Sequence, residues 1–444
     1  VQFWRVMSTV FSCFSAGETV NFLIMGLFSK FKQRKKKGEY ALALDIGTVV
    51  VKALIFQVDH KEGKGYVVGA GYANQALGDM QSGAVTDIAG VVATCEKALC
   101  QAEKEASLRP TQVILGIAGE LVKGSTTTVH YERLKPKTKI DLSEMKNILH
   151  KVQWKAFDKV RKQLSWETGH SEIDVKLINA AIVDVRIDGY RVTNPLGFQG
   201  KDVSIGIFNA YAPLVHLGAL QTIAAELDLD LLSIAAEPYA VARCLGLEDA
   251  PEFSAIFIDV GGGTTDIAVV RNGGVEGTKM FALGGRAFTK RLSQELSLGL
   301  PEAEDLKIKY SLGQLEAEKA EKVREVLSGD SRVWISGLEL ALTEFSEADL
   351  LPPRILLCGG GSLLPEIKES IARSSWSDHL PFAKPPQANF IKPDEVVNII
   401  DKTGKLTQTQ DVTPMALANL GLDLAGPEGA MSGILRRVVR MMQN

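Results

Sequence analysis

The segment F-I-D-V-G-G-G-T-T-D-I-A-V-V, residues 257–270, restricts the possible folds more than any other part of the chain. Two apolar, β-rich runs flank three glycines and two threonines, although each glycine inside a strand weakens it. A β-hairpin with a glycine-rich turn accounts for the pattern, because backbone N–H groups at such a turn can approach a phosphate without a Cβ in the way. The predicted phosphate-binding residues are Asp259, Gly261, Gly262, Gly263, Thr264 and Thr265.

An earlier hairpin has the same arrangement. A strand-like run from Tyr40 ends in D-I-G-T, and a lysine follows on the second strand. A carboxylate at a strand end can hold Mg²⁺ through water, a hydroxyl adds a donor, and the lysine can reach the same phosphates. Taken alone, D-x-G-T is a common turn. Two such hairpins suggest a duplicated architecture, one copy per domain, that clamps a polyphosphate. The predicted binding residues here are Asp45, Gly47, Thr48 and Lys52.

Two further segments carry residues suited to a nucleotide site. A strand leads into the start of a helix through Gly359, Gly360, Gly361 and Ser362. The helix N-terminus carries partial positive charge, and the glycines allow a flat base or ribose to lie on the backbone. The alternative is an ordinary strand–helix loop. Glu237, which precedes a proline, either begins a helix or orients an attacking water or a Mg²⁺-bound water.

The length and composition fit a globular protein of two or three domains. The 444 residues exceed one average domain, and 45% hydrophobic with 23% charged residues are typical of globular chains. Five scattered cysteines without a C-x-x-C pair argue against a disulfide framework or a zinc site. The sequence contains no Walker A loop, no H-E-x-x-H and no serine nucleophile elbow. The glycine-rich loops are therefore the main chemical signal.

Periodicity predicts the remaining elements. Helical spacing predicts helices at 87–106 and 213–226, and a strand followed by a helix at 354–373. The pattern of residues 123–207, with strand-like runs on either side of a helical run near 141–163, predicts a small inserted α+β unit. Residues 381–393 are rich in proline and polar groups and predict a loop.

Basic residues concentrate at both ends of a chain whose net charge is −3. Six lie within residues 30–37 and three in the last nine residues, so the rest of the chain is acidic. This distribution disfavours nucleic acid and favours contact of the ends with an anionic membrane. Charged and polar residues interrupt the first 24 residues, which disfavours a spanning helix or a signal peptide, and Met25 is the expected translation start.

The C-terminal run S-G-I-L-R-R-V-V-R-M-M-Q-N predicts an amphipathic helix after a short linker that contains glycine and proline. One arc of the helix is apolar and the opposite side is basic, as in helices that lie on membrane surfaces. The alternative is a helix that packs on its own domain. The residues expected to contact the membrane are Ile434, Leu435, Val438, Val439, Met442, Arg436, Arg437 and Arg440.

Read in order, these motifs resemble the five-motif nucleotide site of the actin, sugar-kinase and 70-kDa heat-shock ATPase superfamily. D-I-G-T and D-V-G-G-G-T-T-D are similar to its phosphate loops, A-E-P-Y-A-V-A to its first connecting helix and G-G-G-S-L-L-P to its adenosine loop. The resemblance implies an actin-like (ribonuclease H-like) two-domain α/β fold. It also implies ATP as the ligand, Mg²⁺ held through water by Asp45 and Asp259, and Glu237 as the catalytic residue.

The same resemblance adds four residues to the expected site. Gly284 and Gly285 match the second connecting helix, and Glu304 and Lys307 match the stretch that flanks the adenine.

Within the superfamily the chain resembles the FtsA family of bacterial division actins. The matching segments in the inserted block are G-I-A-G-E-L-V, I-D-L-S-E-M-K and N-P-L-G-F-Q-G-K-D-V-S. The resemblance implies that the inserted unit is an SHS2-like subdomain, 1C. The implied organisation is an N-terminal extension at 1–38, subdomain 1A at 39–122 and 208–253, subdomain 1C at 123–207, subdomain 2A at 254–310 and 353–393, a shortened, helical subdomain 2B at 311–352, a return to 1A at 394–424, and a linker with a membrane-binding helix at 425–444.

The FtsA resemblance also implies a function. It predicts an ATP-binding protein with at most weak ATPase activity that polymerises on the inner face of the cytoplasmic membrane at the division site. The implied partners are the tubulin-like FtsZ, further copies of the chain and the anionic membrane surface. Lys52 and the start M-G-L-F-S-K-F-K are more similar to PilM, the adaptor of type IV pilus assembly, which remains the alternative. A small-molecule kinase is a third possibility, but the sequence offers no clear general-base carboxylate beside a substrate cleft.

Overall fold

The computed structural model describes residues 39–119, 122–168, 175–247, 250, 252–345 and 350–425. Residues 1–38 and the tail from residue 426, with all the predicted membrane-contact residues from Ile434 to Met442, lie outside these ranges. In the described part of the chain, no helix is both long and apolar enough to cross a membrane.

The described elements form a mixed α/β structure. The strands are β1 (Glu39–Ile46), β2 (Val50–Asp59), β3 (Lys64–Asn74), β4 (Met80–Gln81), β5 (Ala84–Val85), β6 (Gln112–Ile117), β7 (Lys123–Glu132), β8 (Val175–Ile187), β9 (Tyr190–Arg191), β10 (Asp202–Pro213), β11 (Asp230–Ala236), β12 (Ala255–Val260), β13 (Thr265–Arg271), β14 (Gly274–Phe281), β15 (Arg354–Cys358), β16 (Gln387–Phe390) and β17 (Ile399–Asp401). The α-helices are α1 (Ile88–Ala106), α2 (Leu142–Thr168), α3 (Leu214–Glu226), α4 (Glu237–Ala242), α5 (Gly285–Glu295), α6 (Leu300–Ser311), α7 (Ala317–Thr343), α8 (Pro365–Ala372) and α9 (Val412–Ala425).

The first sheet has six strands in the order β11-β6-β1-β2-β3-β17. β1 lies parallel to β6 and is buried along most of its length, which is why its sequence is a nearly continuous apolar run. Helix α1 packs against β3 where two glycines allow close approach: a Cβ on Gly71 would lie 1.9 Å from the carbonyl oxygen of Ala98. The predicted first hairpin, β1 and β2, is confirmed.

The second sheet has nine strands in the order β16-β15-β12-β13-β14-β7-β10-β8-β9. The predicted second hairpin, β12 and β13, is confirmed, and so are the helices near 87–106, 141–163 and 213–226. Strands β7, β8 and β10, predicted as part of an inserted unit, join this sheet because β14 pairs with β7 at Gly277 opposite Ser125 and Thr278 opposite Gly124. The inserted unit therefore continues the sheet of the second half.

The prediction of a loop at 381–393 is wrong in part. Residues Gln387–Phe390 form β16, which pairs in parallel with β15 at the edge of the second sheet. The chain then adds β17 to the edge of the first sheet, beside β3. Backbone hydrogen bonding with an existing edge strand, rather than local propensity, accounts for this strand in a proline-rich segment.

Candidate functional site

The turn between β1 and β2 brings together the first group of predicted residues. Asp45 is buried near the end of β1, and the Nζ of Lys52 on β2 donates to its Oδ2 at 2.7 Å. Burial opposes protonation of Lys52, but the charge and hydrogen bond of Asp45, together with the charges of Asp259 and Glu237, outweigh it, so the pKa of Lys52 is raised. In the turn, the Thr48 hydroxyl accepts a hydrogen bond from the backbone N–H of Gly83 at 3.1 Å.

The turn between β12 and β13 brings together the second group. Asp259 and Asp266 are directly opposite each other on the paired strands. The Thr413 hydroxyl donates to Asp259, and the Thr264 hydroxyl donates to Oδ2 of Asp266 at 2.9 Å. The N–H of Gly261 donates to the carbonyl of Thr264 at 2.9 Å and closes the turn. Two carboxylates thus flank the base of a glycine-rich loop.

The two turns touch. A Cβ on Gly262 would lie 2.3 Å from the side chain of Val49, and one on Gly263 would lie 2.6 Å from the Thr48 hydroxyl oxygen. From α5, the Nη2 of Arg286 donates to the carbonyl of Thr48 at 2.7 Å, while its own backbone N–H donates to the carbonyl of Gly262 at 2.7 Å. Arg286 therefore links the two loops.

The third glycine-rich segment follows β15 and approaches the second turn. Gly359 has a φ of +82°, and a Cβ there would lie 2.1 Å from Oδ1 of Asp259, so both backbone conformation and space require glycine. Residues Gly360–Leu363 form a short 3₁₀ helix before α8, and the Ser362 hydroxyl donates to the carbonyl of Gly359 at 2.7 Å.

Glu237 begins the short helix α4 and is accommodated by a glycine on a neighbouring strand. A Cβ on Gly116 in β6 would lie 2.4 Å from the Glu237 carboxylate. Burial, followed by the charges of Asp45, Asp266 and Asp259, raises the pKa of Glu237 well above its usual range.

Glu304 and Lys307 form an ion pair on one face of α6. The Nζ of Lys307 donates to both carboxylate oxygens of Glu304, at 2.9 and 2.8 Å, and to the Thr289 hydroxyl at 3.0 Å. Burial lowers the pKa of Lys307 in spite of the Glu304 charge. The lysine is thus held in one position beside α5.

These segments enclose one cavity of about 430 Å³. The predicted residues on its wall are Asp45, Gly47, Thr48, Lys52, Glu237, Asp259, Gly261, Gly262, Thr264, Gly285, Glu304, Lys307, Gly359, Gly360 and Gly361.

Four predicted residues do not line the cavity: Gly263, Thr265, Gly284 and Ser362. The Thr265 hydroxyl instead donates to the carbonyl of Leu283 at 2.7 Å and accepts from the Trp334 indole at 2.9 Å. Gly284 packs against the second turn, where a Cβ would lie 2.6 Å from the carbonyl of Gly261. These residues therefore support the conformation of the loops and do not line the cavity.

The sequence prediction also missed residues on the wall, among them Asp266, Ile308, Ser311, Leu312, Gln408, Gln410 and Thr413. Asp266 closes the D-V-G-G-G-T-T-D motif, so its acidic side chain was a usable signal. The glutamines and Thr413 lie outside every motif considered, and only the tertiary fold brings them to the site.

The cavity carries an excess of carboxyl groups. Burial, then the charge of Asp259, raises the pKa of Asp266 to about 8, and burial also raises the pKa of Asp259. Such a donor set favours a bound cation, because a positive charge would stabilise the ionised carboxylates. Within the described ranges, no three His, Cys, Asp or Glu side chains form a group that could hold a metal ion.

Comparison with known proteins adds to this geometry. A sequence model of the family "Cell division protein FtsA" matches residues 256–403. The FtsA of Neisseria meningitidis serogroup B is 28% identical over 305 residues, which is 66% of each chain. The FtsA of Streptococcus pneumoniae serotype 2 is 22% identical over 422 residues, 90% of this chain and 88% of the relative. A solved structure titled "PilM-PilN type IV pilus biogenesis complex" superposes with a TM-score of 0.58 and 19% identity, covering 88% of this chain and 99% of that one.

The arrangement of the two sheets and the cavity between the glycine-rich hairpins define the class of fold, which is actin-like. The expected actin-like α/β fold is confirmed. The chain is similar to the FtsA cell-division proteins, and the resemblance recognised in the sequence is confirmed.

Proposed function

We propose that the chain binds ATP with Mg²⁺ in the 430 Å³ cavity. The observation that carries this proposal is the pair of Asp–Gly hairpin turns, β1–β2 and β12–β13, which face one cavity from two sheets. Backbone N–H groups at both turns can hold phosphates, and Lys52 supplies a positive charge. The third glycine segment and the Glu304–Lys307 pair would accommodate ribose and base.

The donor set fits Mg²⁺ held partly by water. Asp45 and Asp259 lie at the ends of their strands with Asp266 nearby, and Mg²⁺ is commonly bound by one or two carboxylates plus phosphates and waters. When bound, the cation would neutralise phosphate charge. The residues Asp45 and Asp259 would fix its hydration shell, and Lys52 would keep Asp45 oriented through its hydrogen bond at 2.7 Å.

Gly261 offers a test that separates ligand binding from folding. A Cβ on Gly261 meets only Thr264 atoms, at 3.4 and 3.7 Å, which is ordinary contact, whereas a Cβ on Gly262 would collide with Val49. Gly261→Ala should therefore fold normally but place a methyl group where a phosphate oxygen is expected. We expect at least tenfold weaker Mg-ATP binding by titration calorimetry, and about 1.4 kcal/mol less stabilisation at saturating ligand.

Gly329→Ala is the matched control, because a Cβ at this position in α7 meets nothing within 4 Å. It should bind Mg-ATP as the original chain does. If Gly261→Ala retains full affinity, the phosphate loop is assigned to the wrong segment.

We further propose that the protein acts in cell division as a filament-forming scaffold on the inner face of the cytoplasmic membrane, where it tethers FtsZ. The names of its relatives and the resemblance of its motifs to FtsA support this role. Co-purification from the native cell tests it. Recovery of FtsZ in proportion to the bait supports the proposal, and recovery of pilus-assembly proteins without FtsZ supports the PilM-like alternative.

Hydrolysis is proposed to be slow and to depend on Glu237. Its carboxyl group lies on the cavity wall between the two turns, in a position to orient a water near the terminal phosphate. Its raised pKa shows that burial and its acidic neighbours oppose its ionisation, and a bound cation would offset the charge of those neighbours. Weak ATPase activity is the expected result.

A further inference from the structure

One end of the inserted unit forms a surface that is separate from the cavity. The loop 133–141 joins β7 to α2, the turn at 188–189 joins β8 to β9, and the loop 192–201 leads into β10. Backbone N–H groups tie the two longer loops together: Ile140 donates to the carbonyl of Phe198 at 2.8 Å, and Gly200 donates to that of Pro136 at 3.0 Å. Residues 133–142, 188–190 and 194–201 are called the tip below.

Arg133 holds the tip in one conformation. Its side chain is 0% exposed. Nε and Nη2 donate to the two carboxylate oxygens of Glu144 at 2.9 and 2.8 Å. The guanidinium also donates to the carbonyls of Gly200 at 2.9 Å and Thr138 at 3.0 Å. Because a bidentate, charge-assisted pair fixes geometry, the loop keeps its shape without a partner.

The tip holds large apolar side chains in solvent. Leu134 is 94% exposed, Tyr190 78%, Leu142 50% and Phe198 49%. Exposed side chains of this kind contribute little to folding, since the hydrophobic effect requires their removal from water. An ordered group of such side chains that none of the described elements covers is typical of a surface that contacts a partner.

Three lysines follow Leu134, the most exposed of these side chains, along the chain. Lys135, Lys137 and Lys139 are exposed, and the segment 134–140 contains no acidic residue. None of the three has an ion-pair partner within the part of the chain that the structure describes. Their charge is therefore available to a ligand.

The acidic groups of the tip are already engaged. The Asp141 carboxylate accepts the backbone N–H of Glu144 at 2.8 Å, and the Asp188 carboxylate accepts those of Lys201 and Asp202 at 2.9 and 2.7 Å. Such local bonds engage both acids with their own backbone, whereas the three lysines have no ion-pair partner among the described residues.

We propose that the tip docks on an anionic lipid surface, with Leu134 entering the headgroup region and the three lysines contacting lipid phosphates. Lysine is depleted at the cores of protein–protein interfaces but is favoured at anionic membranes. The fixed loop also lowers the entropy cost of docking. This inference rests on the proposed membrane placement and adds a contact in the body of the protein.

The contact is tested by sedimenting the full chain with anionic vesicles of phosphatidylcholine that contain about 30 mol% phosphatidylglycerol. Replacing Lys135, Lys137 and Lys139 by glutamine should lower the partition coefficient on the order of a hundredfold, since each lysine contributes about fivefold. Leu134→Ser should lower it roughly tenfold, and Leu134→Trp should not weaken it. Pure phosphatidylcholine vesicles should remove the lysine effect.

The control is a matched set of substitutions at exposed residues outside the tip, on α7 and in the segment after α8. Lys319, Lys322 and Lys384 are exposed, and Leu340 is 73% exposed. Their replacement by glutamine and serine should leave partitioning unchanged, and an equal loss would overturn the proposal. Tip variants that bind vesicles normally but self-associate less would identify a protein interface instead. Failure of the unmodified chain to bind anionic vesicles would contradict the membrane placement itself.

Discussion

Asp266→Asn should make the ligand-free protein increasingly stable, relative to the original chain, as the pH rises. Asp266 is 6% exposed, and its pKa is raised to about 8 by burial and by Asp259. Between its ordinary pKa and pH 8, the folded protein therefore holds a proton that the unfolded chain has released. Since the folded state binds more protons in this window, the free energy of unfolding falls as pH rises through it.

The size of this change in the free energy of unfolding follows from the release of one proton. The slope is about 1.4 kcal/mol per pH unit well below the folded pKa, which amounts to about 2 kcal/mol between pH 6 and pH 8. Asparagine cannot release this proton, and its side-chain oxygen can still accept the Thr264 hydroxyl that bonds Asp266 at 2.9 Å. The stability of the variant relative to the original chain should therefore increase by about 2 kcal/mol between pH 6 and pH 8.

Urea unfolding at pH 6, 7 and 8, in EDTA and without nucleotide, measures this difference. Asp378→Asn, at an exposed position, is the control for the loss of one negative charge. Its free energy of unfolding should change with pH as that of the original chain does. If Asp266→Asn shows the same pH dependence as the original chain, Asp266 is ionised throughout, and the argument for an excess of carboxyl groups fails.

Three further predictions concern the site and the tail. Asp45→Asn and Asp259→Asn should weaken ATP binding about tenfold or more in Mg²⁺ and much less in EDTA; equal losses in both would indicate a purely structural role. Glu237→Ala should leave ATP affinity nearly unchanged and lower hydrolysis at least tenfold, and unchanged turnover per bound ATP would contradict its catalytic role. Deletion of residues 433–444, or Val438→Glu, should release the protein from anionic liposomes without altering ATP binding; if it remains bound and loss of the basic residues of 30–37 releases it, the N-terminal segment is the anchor.

Local patterns predicted the parts of the fold that local chemistry decides. The two hairpins, the glycine segment after β15 and Glu237 at the start of α4 each combine a period or turn signal with a distinctive residue. Long-range pairing was not predictable in this way. β16 forms because it can pair with β15 at the edge of the sheet. β7 pairs with β14 at two residue pairs, and the periodicity of the sequence does not predict this contact.

The same limit applied to the candidate site. Thr413 reaches Asp259 across 154 positions of sequence, and Gly116 is needed only because the Glu237 carboxylate lies against it. Thr265 shows the opposite error, since a threonine inside the motif was assigned to the ligand but bonds Leu283 and Trp334. Motif membership indicates which loop is used, while the direction of each side chain depends on the strands around it.

The charges of the cavity connect stability to ligand choice. Five carboxyl groups line the cavity, of which Asp45 pairs with Lys52 and Glu304 pairs with Lys307. The pKa values of the other three, Glu237, Asp259 and Asp266, are all raised. Ionising them together is unfavourable in the protein alone, and adding a nucleotide without a cation would bring more negative charge to the same wall. A nucleotide that carries its cation would reverse that penalty and release protons as the carboxyls ionise. The site should therefore select the metal–nucleotide complex over the free nucleotide, and its affinity for that complex should rise between pH 6 and pH 8.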